Sequence, residues 1–127
     1  MTAWIWLDER DALAAHDRLL VLHGGAPGVR DLGLLESGLA RPKQLAAYGD
    51  AADLIALATA YTSGIVKNHP FIDGNKRTGF VIGVLFLELN GGQFGASEAE
   101  AAEAVLGLAA GTLDDAGYAA FLRRNVT

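Results

Sequence analysis

The chain has 127 residues and no cysteine. That excludes disulfides and cysteine-ligated metals, and nothing points to an oxidising compartment. Positive charge is also scarce. Ten Lys and Arg face fifteen Asp and Glu, for a formal net charge of −5, and no long basic run occurs. Duplex nucleic acid is therefore not the expected main partner. The most apolar stretch, residues 78–89, covers about a dozen positions, against the roughly 20 that a membrane-spanning helix needs. No N-terminal basic-plus-apolar segment resembles a signal peptide. Internal repeats and low-complexity tracts are missing too. The simplest expectation is a cytoplasmic protein with no membrane partner.

What is present favours helices. Hydrophobic residues make up 51% of the chain, and alanine and leucine dominate them. The length fits one domain, residues 1–127, with room for a real core. Ala3 to Leu7 reads as a short strand or an extended lead-in. Asp8 suits the N-cap of a helix from about Glu9 to Leu22. The glycine-rich run His23 to Gly28 ends that helix. Leu32 to Leu39 resumes a helical pattern that Pro42 should end or bend. A further helix is expected from Asp50 or Ala51 to about Asn68, with Leu54, Leu57, Ala58, Tyr61, Ile65 and Val66 facing the core. Ser97, with Glu100 three positions on, makes a capping-box start for a helix to about Ala110. A last helix should span about Asp114 to Arg124.

Residues 69–90, HPFIDGNKRTGFVIGVLFLELN, organise the rest. Phe80 to Leu89 is apolar on nearly every side, as in a buried helix. Asn90, Gly91 and Gly92 supply its stop signal. Gly79 and Gly83 lie four apart on one face, so another helix should pack closely there. The start of this helix carries chemistry. A helix N-terminus offers free N–H groups and the positive end of a dipole, which attract anions. Asn75, Lys76 and Arg77 add side-chain donors, and Gly74 lets the backbone come close to a phosphate. Two cations at the positive end of a helix are unfavourable unless an anion compensates them. His69 could act as a base near neutral pH. Asp73 is a hard oxygen ligand suited to Mg²⁺ held between protein and phosphates. Together these are the parts of phosphoryl or nucleotidyl transfer. Phe71 reads as a core anchor for the loop. His16, His23, Trp4, Trp6 and Tyr48 read as structural or rim residues, and the pair Arg123–Arg124 suits the last carbonyls of a helix. A metal-dependent nuclease is disfavoured by the acidic balance and by the lack of further histidines.

The run His69-Pro70-Phe71-Ile72-Asp73-Gly74-Asn75-Lys76-Arg77-Thr78-Gly79 resembles the Fic-fold signature HPFx(D/N)GN(G/K)Rxx. Its Lys76-Arg77-Thr78 continuation resembles the Doc (death-on-curing) branch, as does the segment Gly25 to Pro42. The resemblance implies an all-α Fic-fold bundle around a buried central helix at about 75–90, with room for a short N-terminal or flap strand. It implies His69 as the catalytic base, Asp73 as the Mg²⁺ ligand, and Gly74, Asn75, Lys76 and Arg77 as phosphate or nucleotide contacts. The loop at about 24–33 would be the flap that lies over the active site and holds the target. In the adenylyl-transferring branch the positions of Lys76 and Phe80 are usually glycine and arginine, and this chain departs from both. The implied reaction is transfer of the γ-phosphate of ATP, bound in inverted orientation, to a threonine of translation factor EF-Tu. Such a protein would be the bacterial toxin of a type II toxin–antitoxin system. No Ser or Thr is followed four residues on by Glu, so the inhibitory [S/T]xxxE[G/N] helix of many Fic proteins is absent from the sequence. The implied inhibitor is instead a trans-acting antitoxin whose C-terminal segment lies in a groove. Adenylylation of a target hydroxyl, and an idle interaction module on the same fold, remain as alternatives.

Overall fold

A computed structural model of the chain describes residues 3–49 and 52–127. Six α-helices follow in order: α1 Glu9–His23, α2 Leu32–Tyr48, α3 Leu54–Asn68, α4 Asn75–Leu89, α5 Glu98–Ala110 and α6 Asp115–Asn125. The all-α bundle is the expected class. Among the described residues two isolated antiparallel bridges, Val29 with Phe71 and Phe94 with Val126, stand in place of strands.

Short polar side chains set most helix starts. Asp8, Asp31, Asp53, Ser97 and Asp114 each accept a first-turn N–H at the head of α1, α2, α3, α5 and α6, as N-caps do. The expected start of the third helix, Asp50 or Ala51, lies outside the described residues; the described helix begins behind Asp53. Pro42 does not end α2, which runs on to Tyr48. Packing overrides the local preference, because α2 buries Leu35, Gly38, Leu39 and Pro42 on one face. Gly38 of that face lies against the Gly64 backbone of α3.

The most enclosed helix is α3. Every residue from Leu57 to Val66 is buried, because α2, α4, α5 and α6 all pack on it. By contrast α4 buries one face, through Thr78, Gly79, Ile82, Gly83, Phe86 and Leu87, and leaves Leu85 and Leu89 exposed. Gly79 and Gly83 do sit where a helix comes close. A Cβ at Gly79 would stand 2.8 Å from Val66 Cγ2, and one at Gly83 would strike the Thr62 hydroxyl. In α1 the fully buried residues are Ala12 and His16 rather than the leucines. Residues 3–7 form the extended lead-in. Asn90 ties that segment down through both backbone groups of Ile5, at 2.8 and 3.1 Å, and the Tyr61 hydroxyl accepts the Leu7 N–H at 2.9 Å. Arg123 pairs with Asp53 at 2.8 Å. It joins the end of α6 to the start of α3, a role beyond its expected one at the last carbonyls of its own helix.

The α3–α4 contact gives a direct prediction. The Thr62 hydroxyl donates to the Gly79 carbonyl at 2.8 Å, so it cannot turn away from a methyl group at position 83 without losing that bond. Gly83→Ala should lower stability by roughly 1–3 kcal/mol, as overpacking does. Urea unfolding would read this, and an unchanged midpoint would mean that the two helices separate at no cost.

Candidate active site

The site lies where α3 hands the chain to α4. The last turn of α3 delivers His69 as its C-cap in the left-handed conformation, φ 54° and ψ 52°. Its ring is exposed, while the next two residues, Pro70 and Phe71, are buried. Phe71 is the anchor that the sequence suggested. Its ring stacks on that of His16, with centroids 3.9 Å apart and planes within 8°.

Asn75 closes the loop behind Phe71. Its side-chain Oδ1 accepts the Phe71 N–H at 2.9 Å, and its Nδ2 donates to the Phe71 carbonyl at 2.9 Å. The residue is 4% exposed. The Asn75 side chain was expected to add a donor for an anion; here its Oδ1 and one Nδ2 hydrogen are spent on the loop. A buried amide leaves its hydrogen bonds unmade only at high cost, so Asn75 can offer an anion its backbone N–H. His16, expected to be structural, also holds this loop. Its ring is buried, and Nε2 lies 2.8 Å from the Asp73 carbonyl, which makes that nitrogen the N–H donor.

Asp73 stands exposed at the turn. Its Oδ2 accepts the Ala26 N–H at 3.2 Å and its Oδ1 accepts the Gly74 N–H at 2.8 Å. These two amides, Ala26 before Gly74, hold its carboxyl below the usual carboxylate range, with help from His16 and Arg77. The carboxylate is therefore charged at neutral pH. Because the folded value is depressed, its contribution is present above the unfolded carboxylate range and is lost as pH falls through the folded value. Each oxygen accepts one amide, so lone pairs remain for a cation. Among the described residues no group of three or more His, Asp and Glu could hold a metal.

Gly74 is the N-cap of α4, in the left-handed conformation, and it brings no side-chain cap. The first turn therefore presents backbone N–H groups that the other five helices satisfy with Asp or Ser. Lys76 and Arg77 are exposed beside it, and neither joins any of the four ion pairs among the described residues. Phe80 lies further along α4 and packs edge-on against Phe94, centroids 5.5 Å apart. Lys67 pairs with Asp115 at 2.9 Å.

The loop at 24–31 runs along the site. The Gly28 carbonyl accepts the Ile72 N–H at 3.1 Å, and the Pro70 carbonyl accepts the N–H groups of Arg30 and Asp31 at 2.7 and 3.0 Å. Two glycines make the approach possible. A Cβ at Gly25 would stand 2.8 Å from Asp73 Oδ2, and one at Gly28 would stand 3.0 Å from Ile72 Cδ1; both have positive φ. Arg30 is the site residue that pattern reading missed. Its guanidinium donates to the His69 carbonyl at 2.7 Å and to the Asn68 carbonyl at 3.0 Å. No local motif marks an arginine whose partners lie 39 and 38 positions away. Two surface clefts, of about 440 and 400 Å³, lie elsewhere, between α2, α3 and α6 and between α5 and α6. The charged groups and free N–H groups described above converge at His69 to Arg77 and not at either cleft, so that surface is the candidate site.

Comparison with known proteins identifies the family. A family model described as the Fic/DOC family matches residues 6–87, which contain the whole of this site. The chain is 33% identical to protein kinase doc of Escherichia phage P1 over 118 residues, 93% of each chain. It is 40% identical to toxin Doc of Mycolicibacterium smegmatis over 93 residues, 72% of this chain and 68% of that protein.

The Asn75 bonds carry a prediction about stability. Asn75→Ala leaves the Phe71 N–H and carbonyl unpaired in buried surroundings, at about 1–3 kcal/mol for each group not rescued by water. Chemical denaturation should record the loss. A variant as stable as the parent would mean that the loop is held from elsewhere.

Proposed function

The chain belongs to the Fic/DOC family, and from that premise we propose that it is a Doc-type toxin that moves the γ-phosphoryl group of ATP to a protein hydroxyl, with translation factor EF-Tu as the target. The observation that carries this reading is the head of α4. An uncapped helix N-terminus, two cations outside the ion pairs of the described residues and an ionised, exposed carboxylate stand beside an exposed histidine. Such a set suits a polyphosphate and a nucleophile that must lose a proton.

Each residue then has a task. The N–H groups of the first turn of α4 receive phosphate oxygens, close to the backbone because Gly74 has no side chain. Arg77 offers bidentate contact and Lys76 a point charge. Asp73 fits Mg²⁺, since it offers one charged carboxylate with open lone pairs and leaves the remaining positions to phosphate oxygens and water. When bound, Mg²⁺ supplies charge neutralisation on the phosphates. His69 takes the proton from the target hydroxyl as that oxygen forms its bond to the γ-phosphorus. The bond from the γ-phosphorus to the bridging oxygen breaks, and ADP leaves with the electron pair. The covering loop at 24–31 holds the target segment beside His69.

Phosphorylation is favoured over adenylylation by two residues. Phe80 packs on Phe94 and offers an α,β-diphosphate nothing. Lys76 places a side chain where the adenylyl-transferring branch usually has glycine. The name of the phage relative, a protein kinase, supports the same choice. We also propose a trans-acting antitoxin whose C-terminal segment lies in a groove. Its support is the similarity to a protein named as a toxin, since a cell that makes a toxin needs a means to restrain it. No helix among the described residues is long and apolar enough to cross a membrane, in keeping with a toxin that meets EF-Tu in the bacterial cytoplasm.

The test uses purified protein, EF-Tu, Mg²⁺ and ATP labelled at the γ- or the α-phosphate. Label on EF-Tu from the γ-position alone, lost with His69→Ala and with EDTA, is the expected outcome. Label from the α-position would establish adenylylation and overturn the use made of Lys76 and Phe80. No label on EF-Tu from either would remove it as the target.

A further inference from the structure

We infer that Arg30 is a positioning residue that sets the backbone of His69, so that the base is in place only while the loop at 24–31 is seated. The inference rests on His69 being the base, as proposed above. Among the described residues His69 is the one non-glycine residue with positive φ. That conformation is sparsely populated for residues with a side chain and persists where surroundings enforce it.

Arg30 is placed to enforce it. The Asn68 carbonyl belongs to the peptide before the His69 Cα, and the His69 carbonyl to the peptide after it. The relative orientation of those two peptides is what φ and ψ of His69 describe. Arg30 Nε donates to the His69 carbonyl at 2.7 Å and Nη2 to the Asn68 carbonyl at 3.0 Å. One rigid fork therefore grips both peptides. In extended backbone successive carbonyls point to opposite sides, and one guanidinium could not reach both. The cation also meets the C-terminal end of α3, where the last carbonyls lack partners and the dipole favours positive charge. A lysine at this position could not reproduce the fork.

The same residue belongs to the covering loop. Its own N–H donates to the Pro70 carbonyl at 2.7 Å. Every residue from Val21 to Arg30 is exposed, so hydrogen bonds rather than apolar burial seat the loop. Exposed hydrogen bonds open readily. A target segment that pairs with the seated loop finds His69 in place. A ligand that lifts the loop withdraws Arg30 and frees the two peptides around the base.

The experiment compares the parent protein with Arg30→Ala, Arg30→Lys and Arg123→Ala, the last a control for loss of an arginine far from the site. The first readout needs no activity: the backbone ¹³C shifts and the N–H to Hα coupling of His69, which report its φ and ψ. The parent and Arg123→Ala should keep the left-handed signature. Arg30→Ala should lose it, Arg30→Lys should fall between, and added guanidinium ion should restore part of it in Arg30→Ala. The second readout is γ-phosphoryl transfer to EF-Tu. Here kcat should fall by roughly tenfold to a hundredfold, as for a misplaced catalytic group, with the KM for ATP little changed. His69 signals in Arg30→Ala that coincide with those of the parent would overturn the inference, whatever the activity. Should Arg30→Ala fail to fold, unchanged His69 signals in Arg30→Lys would do the same. If the parent transfers no phosphate while Arg30→Ala shifts His69, the backbone coupling stands and the reading of the reaction falls.

Discussion

Two hydrogen bonds from the buried Asn75 amide to the backbone of Phe71 close residues 71–75 into a ring, and the neighbouring parts of the site take their places from that ring. It turns the chain from the end of α3 into the start of α4 within a few residues. Phe71 is thereby presented to His16, whose ring stacks on it and whose Nε2 bonds the Asp73 carbonyl. With its carbonyl held inward, Asp73 has its carboxylate outward. The helix that follows begins at a glycine, so no N-cap side chain covers its first N–H groups. A polar site exposed to water is thus supported by a polar network shielded from it, which is the arrangement that fixes catalytic geometry.

The packing beneath follows the same logic. Gly79 and Gly83 let α4 lie close on α3, with the Thr62 hydroxyl between them. His69 ends one of these helices and Asn75 begins the other. Their separation is therefore tied to the helix pair with the closest backbone approach on α4, and a change that parts the helices acts on the site. The clamp from Arg30 and the bonds from Ala26 to Asp73 are of another kind. They come from an exposed loop, and they are the part of the structure that can open while the bundle stays folded.

Much of this was legible in the sequence, for physical reasons that differ by residue. Caps are local, so Asp8 and Ser97 announced their helices. The run from His69 to Gly79 is long and ordered enough to identify the family, and the glycine pair foretold the close helix contact. Pro42 misled because local preference was weighed without the apolar face that carries α2 through it. The loop-holding bonds of the Asn75 side chain were not legible, because a donor beside cations reads as a ligand contact until its burial and its partners four residues back are known. The enclosure of α3 depends on four helices arriving around it, which no single stretch encodes. Arg30 and His16 act across 39 and 57 positions, and their roles exist only once the fold brings the loop, α1 and the α3–α4 turn together.

The central claim is that the head of α4 receives the phosphates of a nucleotide. The most direct measurement is an amide NMR titration with Mg²⁺ and ATP on the His69→Ala variant, in which binding is separated from chemistry. The account predicts that the largest shifts fall on the N–H groups of Gly74 to Arg77, and that they weaken when Lys76 and Arg77 are replaced by alanine. Amides at 74–77 that stay still, while those lining the cleft between α2, α3 and α6 move, would contradict it.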